Sequence, residues 1–158
     1  MEFITASAAE TQKLAADLIK KLAAKTTRGA LVLVLGLVGE LGAGKTTFIQ
    51  GLAKALGVKE RVLSPTFVLM KHFNILAFKH FNNFYHIDCY RVNNPQEMET
   101  LGFREILKNP ENLVVVEWAE KIRKILPADT VWIEFEHLGE DKRKIKIQSS
   151  KIKMTVQN

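Results

Sequence analysis

The amino-acid sequence predicts an α/β fold, and three features of the chain support this prediction. Short apolar runs rich in β-branched residues, such as residues 113–116, are typical of buried strands. Longer segments place leucine at helical spacing, as Leu14, Leu18 and Leu22 do. The two kinds of segment alternate along the 158 residues, which indicates a sheet with helices packed on it.

The predicted elements form one domain over residues 1–158, because no repeat, low-complexity tract or Pro/Gly/Ser-rich linker interrupts them. A first helix covers residues 8–24, and a buried strand follows at 30–39. The next helix, 45–56, ends before Gly57. The remaining elements are strand candidates at 67–73 and 84–88, a helix at 94–107 with Pro95 in its first turn, a strand at 113–117, a short helix at 119–125, and strands at 131–137 and 144–147.

Composition is that of an ordinary globular protein, with 47% hydrophobic and 25% charged residues. No apolar stretch reaches the roughly 20 residues that a membrane span requires. The first residues lack the basic start and apolar run of a signal peptide. Because Cys89 is the single cysteine, an internal disulfide framework is excluded. We therefore expect a cytoplasmic protein without membrane contact.

Positive charge is concentrated at the end of the chain. Residues 142–158 contain six lysine or arginine residues and no acid, and the net charge of the whole chain is +6. A basic strip can follow the phosphates of a nucleic acid. It is also typical of an edge strand, in which Lys144 and Lys146 face outward to deter aggregation while Ile145 and Ile147 face inward. The edge strand is the favoured interpretation, and RNA contact stays open.

Residues 39–46, GELGAGKT, fill every fixed position of G-x-x-x-x-G-K-[ST], the pattern of a phosphate-binding loop. Gly42 and Gly44 let backbone N–H groups turn toward phosphate oxygens, and the start of the following helix adds a positive dipole. We expect Lys45 to reach the β- and γ-phosphates and Thr46 to bind Mg²⁺. The loop therefore predicts a nucleotide-binding protein with a three-layer P-loop NTPase fold, a mainly parallel central sheet and antiparallel edge strands.

A magnesium site of this class needs a second anchor, usually an aspartate at the end of a neighbouring strand. Asp88 and Glu117 both end predicted strands, and chemistry alone does not separate them. Thr66 lies in the loop at residues 64–66, where a threonine could sense a γ-phosphate through the metal. A plain proline turn is the alternative interpretation of that loop.

Two residues beside these acids have more than one interpretation. Cys89 is expected to be packed rather than reactive. His86 is expected to be a hydrogen-bonded structural histidine, although it could also orient Asp88 or contact phosphate. The other histidines lack a spacing typical of a metal site.

Four motifs together resemble one protein family. They are GELGAGKTT at 39–47, SPTF at 64–67, HIDCYR at 86–91 and VVVEWAE at 114–120, in the order and approximate spacing of the bacterial TsaE family, also called YjeE. NPQEMETLGFREIL and ILPAD extend the resemblance from the first helix to about Phe135. The resemblance implies a Mg²⁺-dependent ATPase that is needed to form N6-threonylcarbamoyladenosine at position 37 of tRNAs that read codons beginning with adenine.

Partners are also implied by this resemblance. In that family's pathway a heterodimer of the TsaD and TsaB proteins transfers the threonylcarbamoyl group to tRNA. TsaE-like proteins bind this heterodimer, and their ATP hydrolysis, weak without partners, supports its turnover. Contact with tRNA would be indirect, or weak and through the complex.

The resemblance assigns the metal and catalytic residues by analogy. Mg²⁺ would be held by Thr46 and Glu117, so that Glu117 takes the place of the usual strand-end aspartate. Asp88 would position water or act as a base. Thr66 would act with it as a second catalytic residue on a loop near the γ-phosphate.

Contacts to ATP or ADP are implied along the phosphate loop, beside it and in the N-terminal segment. Trp118 would pack beside the nucleotide pocket, and the segment around Glu10 and Thr11 would approach the base. The expected nucleotide contacts are Thr11, Glu40, Leu41, Gly42, Ala43, Gly44, Lys45, Thr46, Thr47 and Trp118.

Two stretches depart from the family pattern. Residues 70–84 form a longer segment than expected and are unusually apolar and basic for a hairpin tip, so the resemblance does not define the local hairpin or a partner contact there, whereas the nucleotide site is unaffected. The basic tail from about residue 142 matches no assigned feature of the family.

The main alternative is a P-loop small-molecule kinase, which also fits the size of the chain and its phosphate loop. Such kinases usually bring several arginines over the phosphates from a lid. Arg91, Arg104 and Arg123 lie in the relevant half but form no dense cluster. A GTPase would need Asn-Lys-x-Asp, which the sequence lacks. A third possibility is an interaction module that binds a nucleotide but hydrolyses it negligibly by itself.

Overall fold

The structure is a computed structural model that describes residues 1–27, 30–63 and 69–152. Within these ranges the strands are β1 (Glu2–Thr5), β2 (Leu33–Gly39), β3 (Met70–Asn74), β4 (Asn83–Asp88), β5 (Asn112–Glu117), β6 (Val131–His137) and β7 (Arg143–Gln148). The α-helices are α1 (Ala8–Lys25), α2 (Lys45–Ala55) and α3 (Phe103–Lys108), and 3₁₀ helices cover Pro95–Leu101 and Ala119–Ile125.

The described strands form a seven-stranded sheet in the order β1-β7-β6-β2-β5-β4-β3. The four central strands, β6, β2, β5 and β4, are parallel to one another. Antiparallel strands flank them, with β3 on one side and β7 and β1 on the other. The central strands β2 and β5 are apolar along most of their length because helices cover both faces of the sheet. The expected sheet architecture is therefore confirmed.

Helices cover the sheet on both faces and produce two hydrophobic cores. Helices α1 and α2 pack on one face, where alternate residues of β2, Leu33, Leu35 and Leu37, point. Val34 points to the opposite face and packs with the core that includes α3 and the 3₁₀ helices. The result is the expected arrangement of three layers. Among the helices of the described ranges, none combines the length and the apolar character needed to cross a membrane.

The basic strand β7 lies inside the sheet, which corrects its assignment as an edge strand. Strand β1, which the sequence reading missed, pairs with β7 antiparallel and takes the edge position. The expected alternation of β7 is correct, since Ile145 and Ile147 are buried. The lysines face outward, as expected, and pair with acids of β6 while remaining partly exposed: Lys144 lies 3.5 Å from Glu136.

The predicted helix at 94–107 is two helices. Pro95–Leu101 is a 3₁₀ helix whose N-cap, Asn94, accepts a hydrogen bond from Gln96 N through its side chain at 3.0 Å. Gly102 then adopts φ +69° and donates its N–H to the carbonyl of Glu99. Because this left-handed residue breaks the helical path, the chain turns before α3 begins.

The long segment between β3 and β4 packs against the protein's own core. Ile75 and Phe81 are buried in the core that contains α1 and α2. The backbone N–H groups of Leu76 and Ala77 both donate to the carbonyl of Leu56, at 3.2 Å, and thereby cap the C-terminal end of α2. Burial in the protein's own core therefore explains Ile75 and Phe81, whereas the side chain of Leu76 stays exposed.

Candidate nucleotide-binding site

The glycine-rich loop joins the carboxyl end of β2 to the start of α2. Gly42 and Gly44 adopt φ +75° and +105°, conformations that residues with a Cβ rarely take. Gly44 is the N-cap of α2 and has no side-chain cap, so the first N–H groups of the helix open toward the loop. The sequence prediction of a strand, a loop and a helix in this order is confirmed by the observed elements.

Lys45 lies under the loop and is 5% exposed. Its Nζ donates hydrogen bonds to the carbonyl oxygens of Gly39 and Glu40, the latter at 2.9 Å. Nζ also lies 4.3 Å from the ring centroid of Trp118. Burial lowers the pKa of Lys45, and nearby carboxylates, led by Glu117, oppose this shift. The positive charge of Lys45 is thus held inside the loop by carbonyl oxygens and an aromatic face.

Glu117 lies at the carboxyl end of β5 and is 2% exposed. Its Oε1 accepts a hydrogen bond from Thr46 Oγ1 at 3.2 Å. Its Oε2 lies 2.9 Å from Nε2 of His86, a side chain that is fully buried on β4. The structure thus brings together the two residues expected to bind Mg²⁺ and adds a histidine on the far side of the carboxylate.

Asp88 ends β4 beside Glu117, and the two residues are paired in register across the parallel strands. Asp88 Oδ1 accepts a hydrogen bond from the N–H of Tyr90 at 2.9 Å. Burial raises the pKa of the Asp88 carboxyl and the Glu117 carboxylate adds to the rise, while the Tyr90 N–H opposes it. A carboxylate with a raised pKa is a better proton acceptor than an exposed aspartate.

Trp118 turns the chain at the end of β5 with φ +56°, a conformation that is uncommon for a bulky residue. The left-handed turn places its ring at the site, 5.0 Å from the ring centroid of Tyr90. Lys121 Nζ donates to the carbonyl oxygen of Tyr90 and so connects the two segments.

Cys89, between Asp88 and Tyr90, is fully buried, and burial raises the pKa of its thiol to about 12. The cysteine is therefore packed, as predicted.

Arg143, at the start of β7, is a site residue that the sequence reading missed. A Cβ built on Gly44 would lie 2.5 Å from Cδ of Arg143, so the arginine packs directly on the phosphate loop. Its guanidinium donates to the carbonyl of Asp141 at 3.1 Å. The only sequence signal was its place in the basic strip, and that signal did not distinguish it from the neighbouring lysines.

These residues surround a cavity of about 290 Å³ at the carboxyl ends of the central strands. Its lining is Leu41, Gly42, Gly44, Lys45, Thr46, Thr47, Asp88, Tyr90, Arg91, Glu117, Trp118 and Arg143. A larger cavity of about 420 Å³, with Leu31 and Asp129 in its lining, lies at the opposite ends of the same strands. That cavity lacks the phosphate loop and both strand-end acids, so the smaller one is the candidate site.

Three residues expected to contact the nucleotide do not line this cavity. Thr11 is fully buried, and its hydroxyl lies 2.8 Å from that of Thr5. Ala43 is 1% exposed, and Glu40 takes part through its carbonyl, which accepts from Lys45. Their nucleotide contacts stay predictions. Thr66 and its loop, 64–66, lie outside the described residues.

A magnesium ion fits the chemistry of the Thr46–Glu117 pair. Mg²⁺ prefers oxygen ligands and is usually bound by one or two protein groups together with substrate phosphates. A hydroxyl and a buried carboxylate 3.2 Å apart, beside a phosphate loop, provide such oxygens. In the part of the chain that the structure describes, no group of three or more His, Cys, Asp or Glu side chains could hold a metal by itself.

The fold and the loop define a P-loop nucleotide-binding protein. The family model for threonylcarbamoyl adenosine biosynthesis protein TsaE matches residues 5–145, and the chain belongs to this family. The resemblance noted in the sequence is thereby confirmed.

Individual relatives agree with this assignment. The chain is 35% identical over 111 residues to the tRNA threonylcarbamoyladenosine biosynthesis protein TsaE of Haemophilus influenzae, and 40% identical over 114 residues to that of Bacillus subtilis. These matches cover 70% and 71% of this chain but 66% of each relative, which is just under two thirds of their length. A match to the protein of the same name from Rickettsia felis is 36% identical over 135 residues and covers 85% of this chain and 71% of the relative.

A solved structure shares the fold. The crystal structure of YdiB from Bacillus subtilis superposes with a TM-score of 0.70 at 30% sequence identity, and the match covers 94% of this chain and 84% of that chain. The similarity therefore extends over nearly the whole α/β domain.

Proposed function

We propose that this protein is a Mg²⁺-dependent ATPase that acts in the formation of N6-threonylcarbamoyladenosine in tRNA. The observation that carries the proposal is the joint placement of Lys45, Thr46, Asp88 and Glu117 around one cavity at the end of the parallel strands. Membership of the TsaE family supports the process, since the relatives carry the name of that pathway.

In this proposal each residue has a role that its position supports. The N–H groups of the loop and the start of α2 bind phosphate oxygens, and Lys45 supplies a buried positive charge beside them. Thr46 and Glu117 hold the metal ion, which when bound neutralises charge on the phosphates. Asp88 orients the attacking water and accepts its proton, a role that its raised pKa favours. Trp118 lines one wall of the pocket and packs its ring against Lys45.

We infer that the protein works with a TsaD–TsaB heterodimer in the cytoplasm and that tRNA is reached through that complex. The family assignment supports this inference. Part of the positive charge of the basic strip is balanced within the protein, because several of its lysines pair with acids. Lys144 lies 3.5 Å from Glu136, Lys146 lies 4.0 Å from Glu134, and Lys151 lies 2.8 Å from Asp129.

The alternative of a small-molecule kinase receives less support from the arginines. Arg104 pairs with Glu99 at 3.1 Å, and Arg123 stacks on Trp132 with its Cζ 3.8 Å from the ring centroid. Both are therefore engaged away from the cavity. Arg91 and Arg143 line the cavity, but they come from separate segments and do not form a lid of several arginines.

The proposal is tested by nucleotide binding to the Lys45→Ala variant. Loss of a buried cation beside the phosphates should weaken ATP and ADP binding at least about a hundredfold, or about 2.7 kcal/mol. Titration calorimetry measures the affinities, and Lys54→Ala, at an exposed lysine in the last turn of α2, is the matched control. Unchanged ATP affinity in Lys45→Ala would rule out the proposed nucleotide site.

The same titrations separate the two acids. Glu117→Ala should weaken the Mg²⁺-dependent part of nucleotide affinity, because it removes the buried ligand. Asp88→Ala should bind nucleotide nearly normally and lose hydrolysis, measured as phosphate release. The opposite pattern would exchange the two roles.

A further inference from the structure

His86 and Glu117 form a buried pair next to the proposed metal site. Nε2 of His86 lies 2.9 Å from Oε2 of Glu117, and the two side chains are 0% and 3% exposed. The other carboxylate oxygen, Oε1, accepts from the Thr46 hydroxyl at 3.2 Å. When Glu117 is ionised, as a metal ligand must be, its oxygens can only accept hydrogen bonds, and Nε2 of His86 is then the donor. Each oxygen of Glu117 therefore faces a different partner.

The register of the sheet fixes this pair. His86 lies opposite Val115 on the parallel neighbour β5, and Asp88 lies opposite Glu117. Side chains alternate along a strand, so His86 and Asp88 point to the same face as Val115 and Glu117. One residue pair closer to the core, Phe84 lies opposite Leu113, and both are fully buried. His86 thus lies at the boundary between the hydrophobic core and the polar site. From there its ring reaches Oε2, the carboxylate oxygen of Glu117 that does not contact Thr46.

The partners of His86 restrict what else it can do. Its ring stacks on Phe84 with the planes 4° apart, which holds the imidazole between the core and the carboxylate. Nδ1 is buried and has no hydrogen-bond partner among the residues that the structure describes. His86 does not line the cavity, so it does not reach a nucleotide itself. Its polar contact within the described chain is with Glu117.

We propose that His86 is a positioning residue that holds Oε2 of Glu117, so that the carboxylate presents Oε1 to the metal as a single ligand atom beside Thr46. This inference rests on the proposed function, because it assigns a metal to the Thr46–Glu117 pair. A glutamate has one more rotatable bond than the aspartate usual at this place, and a fixed donor removes that freedom. Outer partners of metal ligands act in this way, and their loss typically lowers metal affinity about 10- to 100-fold.

The test measures Mn²⁺ binding to the ADP complex by electron paramagnetic resonance, with Mn²⁺ as a stand-in for Mg²⁺. His86→Phe keeps a ring of similar size but removes the donor, and we expect its Mn²⁺ affinity to fall about 10- to 100-fold. ADP affinity in EDTA should stay within about twofold of wild type, because His86 does not touch the phosphate loop. His72→Phe is the matched control: this exposed histidine on β3 stacks on Tyr85, away from Glu117.

A second pair of variants keeps the test decisive where Phe disturbs folding. The amide nitrogen of His86→Gln can reach the position of Nε2, whereas that of the shorter His86→Asn cannot. We expect His86→Gln to retain most of the wild-type Mn²⁺ affinity and His86→Asn to retain little of it. Equal affinities for these two variants would overturn the positioning role, as would wild-type Mn²⁺ affinity in His86→Phe.

Two further outcomes separate this inference from the proposed function. An equal loss of ADP affinity in EDTA and in Mn²⁺ would mean that His86 supports the fold in general, and would overturn the inference alone. Failure of the wild-type protein to bind ADP would overturn the proposed function together with it. Wild-type binding of both ADP and Mn²⁺, with selective loss of Mn²⁺ in His86→Phe and recovery in His86→Gln, supports both.

Discussion

At Arg143, a side chain from β7 packs on the phosphate loop, and its Nε is buried without a hydrogen-bond partner in the described ranges. A buried donor without a partner costs about 1–3 kcal/mol. A phosphate oxygen in the cavity would provide the missing acceptor, and it would also meet the positive charge of the guanidinium. Binding of a nucleotide phosphate would remove this cost and would thereby contribute to nucleotide affinity.

We predict that Arg143→Gln weakens ATP binding about tenfold, equivalent to about 1.4 kcal/mol, because one charge-assisted hydrogen bond is lost. Calorimetric titration with ATP measures the change. Lys144→Gln is the matched control, since Lys144 is the adjacent residue and pairs with Glu136 on β6. Equal effects of the two substitutions would show that only general positive charge matters.

The sequence predicted single residues where a motif contains the information and failed where a contact depends on strand pairing. Lys45 and Thr46 follow from the loop pattern alone, and both line the cavity. The choice of Glu117 over Asp88 came only from the family resemblance. The role of His86 stayed open, because its partner lies 31 residues away on a neighbouring strand. Arg143 was missed for the same reason, because it reaches the phosphate loop from the distant strand β7.

At the scale of elements, periodicity predicted most helices and strands but not the breaks between them. The leucine spacing of α1 and the apolar run of β2 are strong local signals. Strand β1 has four residues and was missed, because such a short stretch shows little alternation and is stabilised by pairing with β7. The helix expected at 94–107 is divided at Gly102, whose backbone conformation the apolar pattern does not reveal.

Gly102 provides a prediction about this break. At φ +69°, a Cβ would meet no atom within 4 Å, so substitution by alanine should act through the backbone alone. We expect Gly102→Ala to lower the free energy of unfolding by about 1–2 kcal/mol, the cost of a left-handed conformation for an ordinary residue. Urea unfolding followed by circular dichroism measures it.

Two further variants control this measurement. Gly102→Asn should cost less, because asparagine tolerates the left-handed region. Lys108→Ala, at an exposed helical position of α3, should change stability by less than about 0.5 kcal/mol. An alanine variant at Gly102 as stable as wild type would contradict the left-handed assignment.

At the scale of the whole molecule, the parallel order of the central strands assembles the site. Gly39, Asp88 and Glu117 end β2, β4 and β5, and parallel pairing brings these three ends to one edge of the sheet. The antiparallel flank on the other side then brings Arg143 to the same loop. Residues from distant parts of the sequence therefore converge because of topology, in the crevice where open α/β sheets bind ligands.

This placement exposes the phosphate loop at one end of the molecule, where a partner could detect the bound nucleotide. Leu41, at the tip of the loop, is 71% exposed, and Tyr90 at the rim is 46% exposed. The role of Thr66 stays a sequence prediction, because the residue lies outside the described ranges. A loop ordered by the γ-phosphate would let a partner distinguish ATP from ADP.

We therefore predict that a TsaD–TsaB pair binds the form loaded with an ATP analogue about 10- to 100-fold more tightly than the ADP form. Such a preference needs only about 1.4–2.7 kcal/mol of differential binding, which one or two hydrogen bonds to an ordered loop can supply. Measuring the affinity of the immobilised protein for the TsaD–TsaB pair in each nucleotide state gives the ratio of the two affinities. Thr66→Ala should reduce it toward one, and Thr66→Ser, which keeps the hydroxyl, should preserve it. Equal affinity of the wild-type protein for the partner in both states would leave the loop without a switching role, because a partner that binds both states equally cannot shift their balance.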